Sequence, residues 1–165
     1  MSLYRVKQFF WAITAKMSLE DINFIKSYLN SSEVELFNTL TGYEQKHSVN
    51  VAMDVKETCR AKNMNSYNMI RVALLHDIGK TQARLNPIEK SIFVIINKLS
   101  KGRLKNIKTL KKVEKYYNHG EIGYRILKEC GKYDDRFLYL IENHHNKSIV
   151  GDKELEILIE SDDKN

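Results

Sequence analysis

Pro87 is the only proline in a chain of 165 residues, which holds just seven glycines. So few breakers leave long runs uninterrupted, and that favours helices over a sheet with many tight turns. Apolar residues recur at helical three- and four-residue steps almost everywhere, and no stretch alternates convincingly as a strand does. The expected fold is all-α, a single-domain helical bundle. A chain of this length buries a proper core without disulfides or other staples.

The pattern divides into segments. A first helix covers roughly 3–16. A second starts at Ser18, an N-cap followed by the acids Glu20 and Asp21, and runs to about Leu29. A short helix follows Ser32. A longer one begins near Thr41 and passes His47 to about Lys62. After the polar break "KNMNSYN", Ser66 opens the helix that delivers "LLHDIGK". Asn86 and Pro87 fit an N-cap and first-turn pair for a helix to about Leu99. Further helices end near Cys130–Gly131, start at Asp134 ("FLYLIENHH") and start at Asp152 ("KELEILIESDD"). On size alone, the first 40 or so residues form a small helical annex. Phe9, Phe10, Trp11, Ile13, Phe24, Ile25, Leu36 and Phe37 read as core, with a dimer interface as the alternative.

No apolar run approaches the ~20 residues of a membrane span. The N-terminal stretch is interrupted by charge and has no small-residue cleavage site, so it reads as a helix and not as a signal peptide. Cys59 and Cys130 form no CxxC and suit reduced thiols in a cytoplasm, one distant bridge being the alternative. The net charge of +6 is local. Residues 97–118 carry eight Lys or Arg against the single acid Glu114, which leaves the rest of the chain about −1. Read as a helix, this segment puts Lys101, Lys105, Lys108, Lys112 and Lys115 on one stripe and Leu104, Ile107, Leu110, Val113 and Tyr117 on another. The plain account is an amphipathic helix with a solvated face. The sharper one is an electrostatic funnel for a phosphorylated ligand, with Lys101, Lys105 and Lys108 as substrate contacts. Lysines without arginine forks favour diffuse phosphate attraction over base reading, so nucleic acid is the weaker partner.

"LLHDIGK", residues 74–80, sets His76 and Asp77 where the buried face of a helix should continue. Burying both is costly unless something binds them. A single histidine near an apolar stripe is ordinarily a satisfied core or surface residue. Here, however, His76 adjoins Asp77, His144 adjoins His145, and His119 opens "HGEIG", all on different expected helices, as when a bundle builds an internal metal site. Asp162 follows the apolar stripe Leu155, Leu158, Ile159. An acid there is more often solvated, yet histidine-rich divalent sites usually include carboxylates.

The series His47, His76–Asp77 and Asp162 resembles the HD-domain superfamily of metal-dependent phosphohydrolases, in which "HDIGK" is a common form of the motif. His119 and the doublet His144–His145 look like its two-metal branch, which includes the HD-GYP phosphodiesterases. The match spans roughly 41–165, so the resemblance implies an HD-type domain there with residues 1–40 as an N-terminal helical extension. It implies two divalent transition-metal ions, iron or manganese. His47, His76, Asp77 and Asp162 would hold one and His119, His144 and His145 the other, with Asp77 bridging. Ions about 3.5–4 Å apart would activate water for in-line attack on phosphorus. Asp77 and Lys80 are then the expected catalytic residues, Lys80 reaching a phosphate oxygen. The other reading of Lys80 is a lysine favoured by a helix C-terminal dipole. Glu44 holds a place where some relatives have an extra acidic ligand, but a surface glutamate is the favoured reading. After "HH" the chain runs "NKSIVGDKE" without a Gly-Tyr-Pro element, so the resemblance carries the ligand set and not cyclic di-GMP specificity.

The expected activity is therefore hydrolysis of a phosphate ester, a nucleotide or nucleotide-like phosphodiester, by a dinuclear centre in a cytoplasmic protein. The alternatives are a mixed-valence di-iron oxygenase with a similar ligand set and a non-catalytic nucleotide-binding regulator.

Overall fold

The computed structural model describes residues 16–82 and 117–165. Among these residues there are seven α-helices and no strand: α1 (Leu19–Tyr28), α2 (Ser31–Phe37), α3 (Gly42–Ala61), α4 (Tyr67–Leu75), α5 (His119–Cys130), α6 (Asp135–Asn143) and α7 (Lys153–Lys164). A 3-10 turn, Ile78–Gln82, follows α4. The expected helices at 3–16 and 86–99, and the lysine stripe with Lys101, Lys105 and Lys108, lie outside the described residues.

The first three helices open with the same device. Ser18, Asn30 and Thr41 accept the backbone N–H of Asp21, Glu33 and Glu44, whose carboxylates accept the cap N–H in return at 2.8, 2.9 and 3.0 Å. Each reciprocal pair satisfies two backbone donors that the helix itself cannot. The second of these helices is capped at Asn30, two residues before the expected Ser32. Glu44 is corrected here: it is no surface glutamate but a 9 % exposed cap residue, accepting from both the N–H and the hydroxyl of Thr41.

α4 sits at the centre. Met69, Ile70, Val72, Ala73, Leu74 and Leu75 are all buried, apolar nearly all round, and α1, α3, α6 and α7 pack about them. Full burial of a leucine such as Leu74 or Leu75 contributes about 1.5–3 kcal/mol. Ile25, Leu29, Phe37 and Leu40 join the same core as the helices beyond residue 41, with Phe24 and Leu36 packed against it. Phe9, Phe10, Trp11 and Ile13 lie outside the described residues. Cys59 is buried, Cys130 exposed, and both are free thiols. No helix among the described residues is long and apolar enough to cross a membrane.

Candidate metal centre

The α-helix expected to run through "LLHDIGK" stops at Leu75. His76 is its C-cap and the chain tightens into the 3-10 turn, closed by the Lys80 N–H on Asp77 O at 2.9 Å. Gly79 shows why. A Cβ there would lie 1.9 Å from His119 O and 2.7 Å from Gly123 N, so only glycine lets this turn press against the start of α5. Gly120 does the same between α5 and the end of α6, where a Cβ would lie 2.6 Å from Glu142 O. These two contacts bring Asp77, His119 and His144 together.

His76 and His144 are set by one shared arrangement. Each caps a helix and reaches back to a carbonyl three residues earlier, Nδ1 to Ala73 O at 2.7 Å and Nδ1 to Ile141 O at 2.6 Å. A carbonyl only accepts, so each Nδ1 carries the proton and each Nε2 presents a lone pair to the interior. The bond also satisfies a carbonyl left over by the helix end.

The side chains converge from five elements. His47 on α3 has Nε2 at 2.9 Å from Asp162 Oδ1 on α7, and His76 Nε2 is 3.5 Å from that same oxygen. His119 Nε2 lies 3.1 Å from His144 Nε2 and 3.0 Å from His145 Nε2. Asp77 stands between. Its Oδ2 faces His76 Nε2 at 3.5 Å and His47 Nε2 at 3.7 Å, while Oδ1 faces His119 Nε2 at 3.2 Å and His144 Nε2 at 3.9 Å. Two groups therefore have donor atoms all within 4.8 Å of one another: His47, His76 and Asp162; and Asp77, His119, His144 and His145. Asp77 is 0 % exposed, whereas the His145 side chain is half exposed and its Nδ1 lies 3.5 Å from Asp162 Oδ2. The open side of the centre is thus at His145. Lys80, itself buried, ion-pairs through Nζ with Asp77 Oδ2, so it is not a solvated lysine at a helix end.

Electrostatics divides these groups by kind. Burial pushes His144 well below the ordinary imidazole range, reinforced by neighbouring histidines, and burial with His119 nearby brings His145 to about 4. Burial likewise lowers His47. His76 moves up, because Asp77 and Asp162 outweigh its burial. Burial acts to raise both carboxylates but is outweighed: His76 and Lys80 hold Asp77 well below its usual range, and His47 and His76 beside Asp162 hold it down.

That set fits a metal better than it fits itself. His76 Nε2 and Asp77 Oδ1 are sealed from solvent without a hydrogen-bond partner of proper geometry, a cost of about 1–3 kcal/mol each. His119 Nε2 lies 3.0–3.1 Å from the Nε2 atoms of both His144 and His145. Donors that share one ion at about 2.0–2.2 Å stand roughly 3–4 Å apart, as these do. Asp162, an acid in a sequence context that usually means solvation, is directed inward on His47. Gly79 and Gly120 offer no side-chain donor atom, so residue type alone does not mark them. Their signal is a glycine three residues after His76 and one directly after His119.

The family model described as HD domain matches residues 45–163, a span that includes all seven of these donor residues. No curated protein and no solved structure matches the chain.

Proposed function

The chain belongs to the HD domain family of metal-dependent phosphohydrolases, and on that premise we propose that it hydrolyses a nucleotide or nucleotide-like phosphate ester with a dinuclear centre. His47, His76 and Asp162 would hold one divalent ion, and His119, His144 and His145 the other. The observation that carries this reading is Asp77, whose two carboxylate oxygens face the two histidine groups separately. Two ions bound there, iron or manganese by donor type, would activate water for attack on phosphorus and offset charge on the phosphoryl oxygens.

The protein's own contribution is orientation and exclusion of water. His76 and His144 are aimed by their bonds to Ala73 O and Ile141 O, so no rotamer search precedes binding. Leu74, Leu75 and Ile78, which flank His76 and Asp77 in the chain, are fully buried. Substrate would enter on the His145 side, with Lys80 to meet a phosphate oxygen. The +7 segment ending beside His119 would raise the local concentration of an anionic ester.

Metal analysis after anaerobic, chelator-free purification is the test. The expected content is close to two transition-metal ions per chain, lost in the His76→Ala, Asp77→Ala double variant. No bound ion in the wild type overturns the reading. Phosphate release from nucleotide esters, with no oxygen consumption, identifies the hydrolase against an oxygenase.

A further inference from the structure

Asp77 is a carboxylate with no solvent exposure. An ionised carboxylate in that position persists only if a cation neutralises it. In the structure that cation is Lys80, three residues along the 3-10 turn and paired with Asp77 Oδ2. This same oxygen faces His76 Nε2 at 3.5 Å and His47 Nε2 at 3.7 Å. The ammonium therefore lies against the one carboxylate oxygen that the first ion would use. A divalent ion arriving among those donors meets a fixed like charge a few ångströms away, in a buried setting where screening is poor.

We propose that Lys80 is a resident counter-cation of the unloaded centre, displaced from Asp77 when the ion of the His47–His76–Asp162 group binds. The inference rests on the metal-centre reading above and adds a competition to it. Paired with Asp77 Oδ2, the ammonium neutralises the buried carboxylate, and the Lys80 N–H on Asp77 O closes the 3-10 turn. With metal, the ammonium leaves Oδ2 and its flexible four-carbon stem is free to turn elsewhere. Lys80 thereby lowers the affinity for the first ion while stabilising the empty site, since whatever stabilises the unbound state is subtracted from apparent binding.

Calorimetric titration of full-length wild type and Lys80→Gln with Mn(II) tests this. Glutamine keeps a hydrogen-bond donor for Asp77 but removes the charge, so the tightest Mn(II) site should strengthen by about tenfold or more. Equal or weaker binding by the variant overturns the proposal and makes Lys80 a prop for Asp77. Absence of Mn(II) and Fe(II) binding by both proteins overturns the metal-centre reading itself. A second measurement needs no variant. Amine acetylation of the wild type, read by peptide mass spectrometry, should rise several-fold at Lys80 on adding Mn(II), against little change at the exposed Lys153. Unchanged Lys80 labelling with Mn(II) bound also overturns the proposal.

Discussion

Glu44 stands three residues before His47, and a carboxylate at that spacing can turn toward the imidazole or back to the helix start. The structure takes the second course, closing a reciprocal cap with Thr41. Thr-x-x-Glu ahead of an apolar run carries that cap in its spacing, so the role is legible in the sequence. Glu44→Ala should cost about 0.5–2 kcal/mol in urea unfolding while leaving the metal content unchanged. Glu44→Gln should recover most of the stability, because an amide oxygen still accepts the cap N–H. Loss of an ion in Glu44→Ala would return Glu44 to the ligand set. Asp77 differs in kind: a carboxylate next to a histidine in "LLHDIGK" is costly to bury unless something binds it, but which oxygen faces which histidine group depends on elements far away in sequence.

Among elements, the junction of α4, the 3-10 turn and α5 decides the site. Periodicity alone extends the helix through Lys80, because Ile78 continues the apolar stripe of Leu74 and Leu75. The α-helix stops because Gly79 packs against backbone at His119 and Gly123, a contact no single-helix pattern encodes. Gly79→Ala places a methyl against His119 O, an atom that cannot rotate away. It should lower stability by at least about 2 kcal/mol, or several degrees in Tm. It should also reduce occupancy of the His119–His144–His145 group before the other. A variant as stable and as well loaded as wild type would show that the junction tolerates separation. Helix starts were more legible: Ser18, Thr41, Ser66, Asp134 and Asp152 each sit at the N-cap position, though Ser66 makes no side-chain cap bond.

At the scale of the molecule, the site is complete only if α6 and α7 are held side by side, since they lead to His144, His145 and Asp162. Arg136 on α6 donates to both oxygens of Asp152, the N-cap of α7, at 2.7 and 2.5 Å, and to Glu154 at 2.8 Å. Those bonds hold the Asp152 carboxyl below its ordinary value of 3.8. A depressed folded-state pKa contributes stability above the unfolded value and loses it as pH falls through the folded one. Arg136→Met should therefore be less stable than wild type at neutral pH, by under about 1 kcal/mol for so exposed a pair. In urea unfolding the gap should narrow as pH drops below 3.8. A gap unchanged in acid would assign it to the packing of Arg136 on the Tyr139 ring, 5.2 Å away.

The sequence by itself determined the helical class, most helix starts, and the residue types of a divalent-metal site, because caps, periodicity and donor chemistry are local properties. It did not determine that α4 would end before His76, that Glu44 would turn away from His47, or that Lys80 would sit on Asp77. The division of seven donors into two groups meeting at Asp77 came only through the family resemblance, and which Asp77 oxygen faces which group was not determined at all. Those follow from contacts between segments up to 115 residues apart, such as His47 with Asp162. Only packing at backbone contact, through Gly79 and Gly120, brings such segments within the 3–4 Å that a shared ion requires.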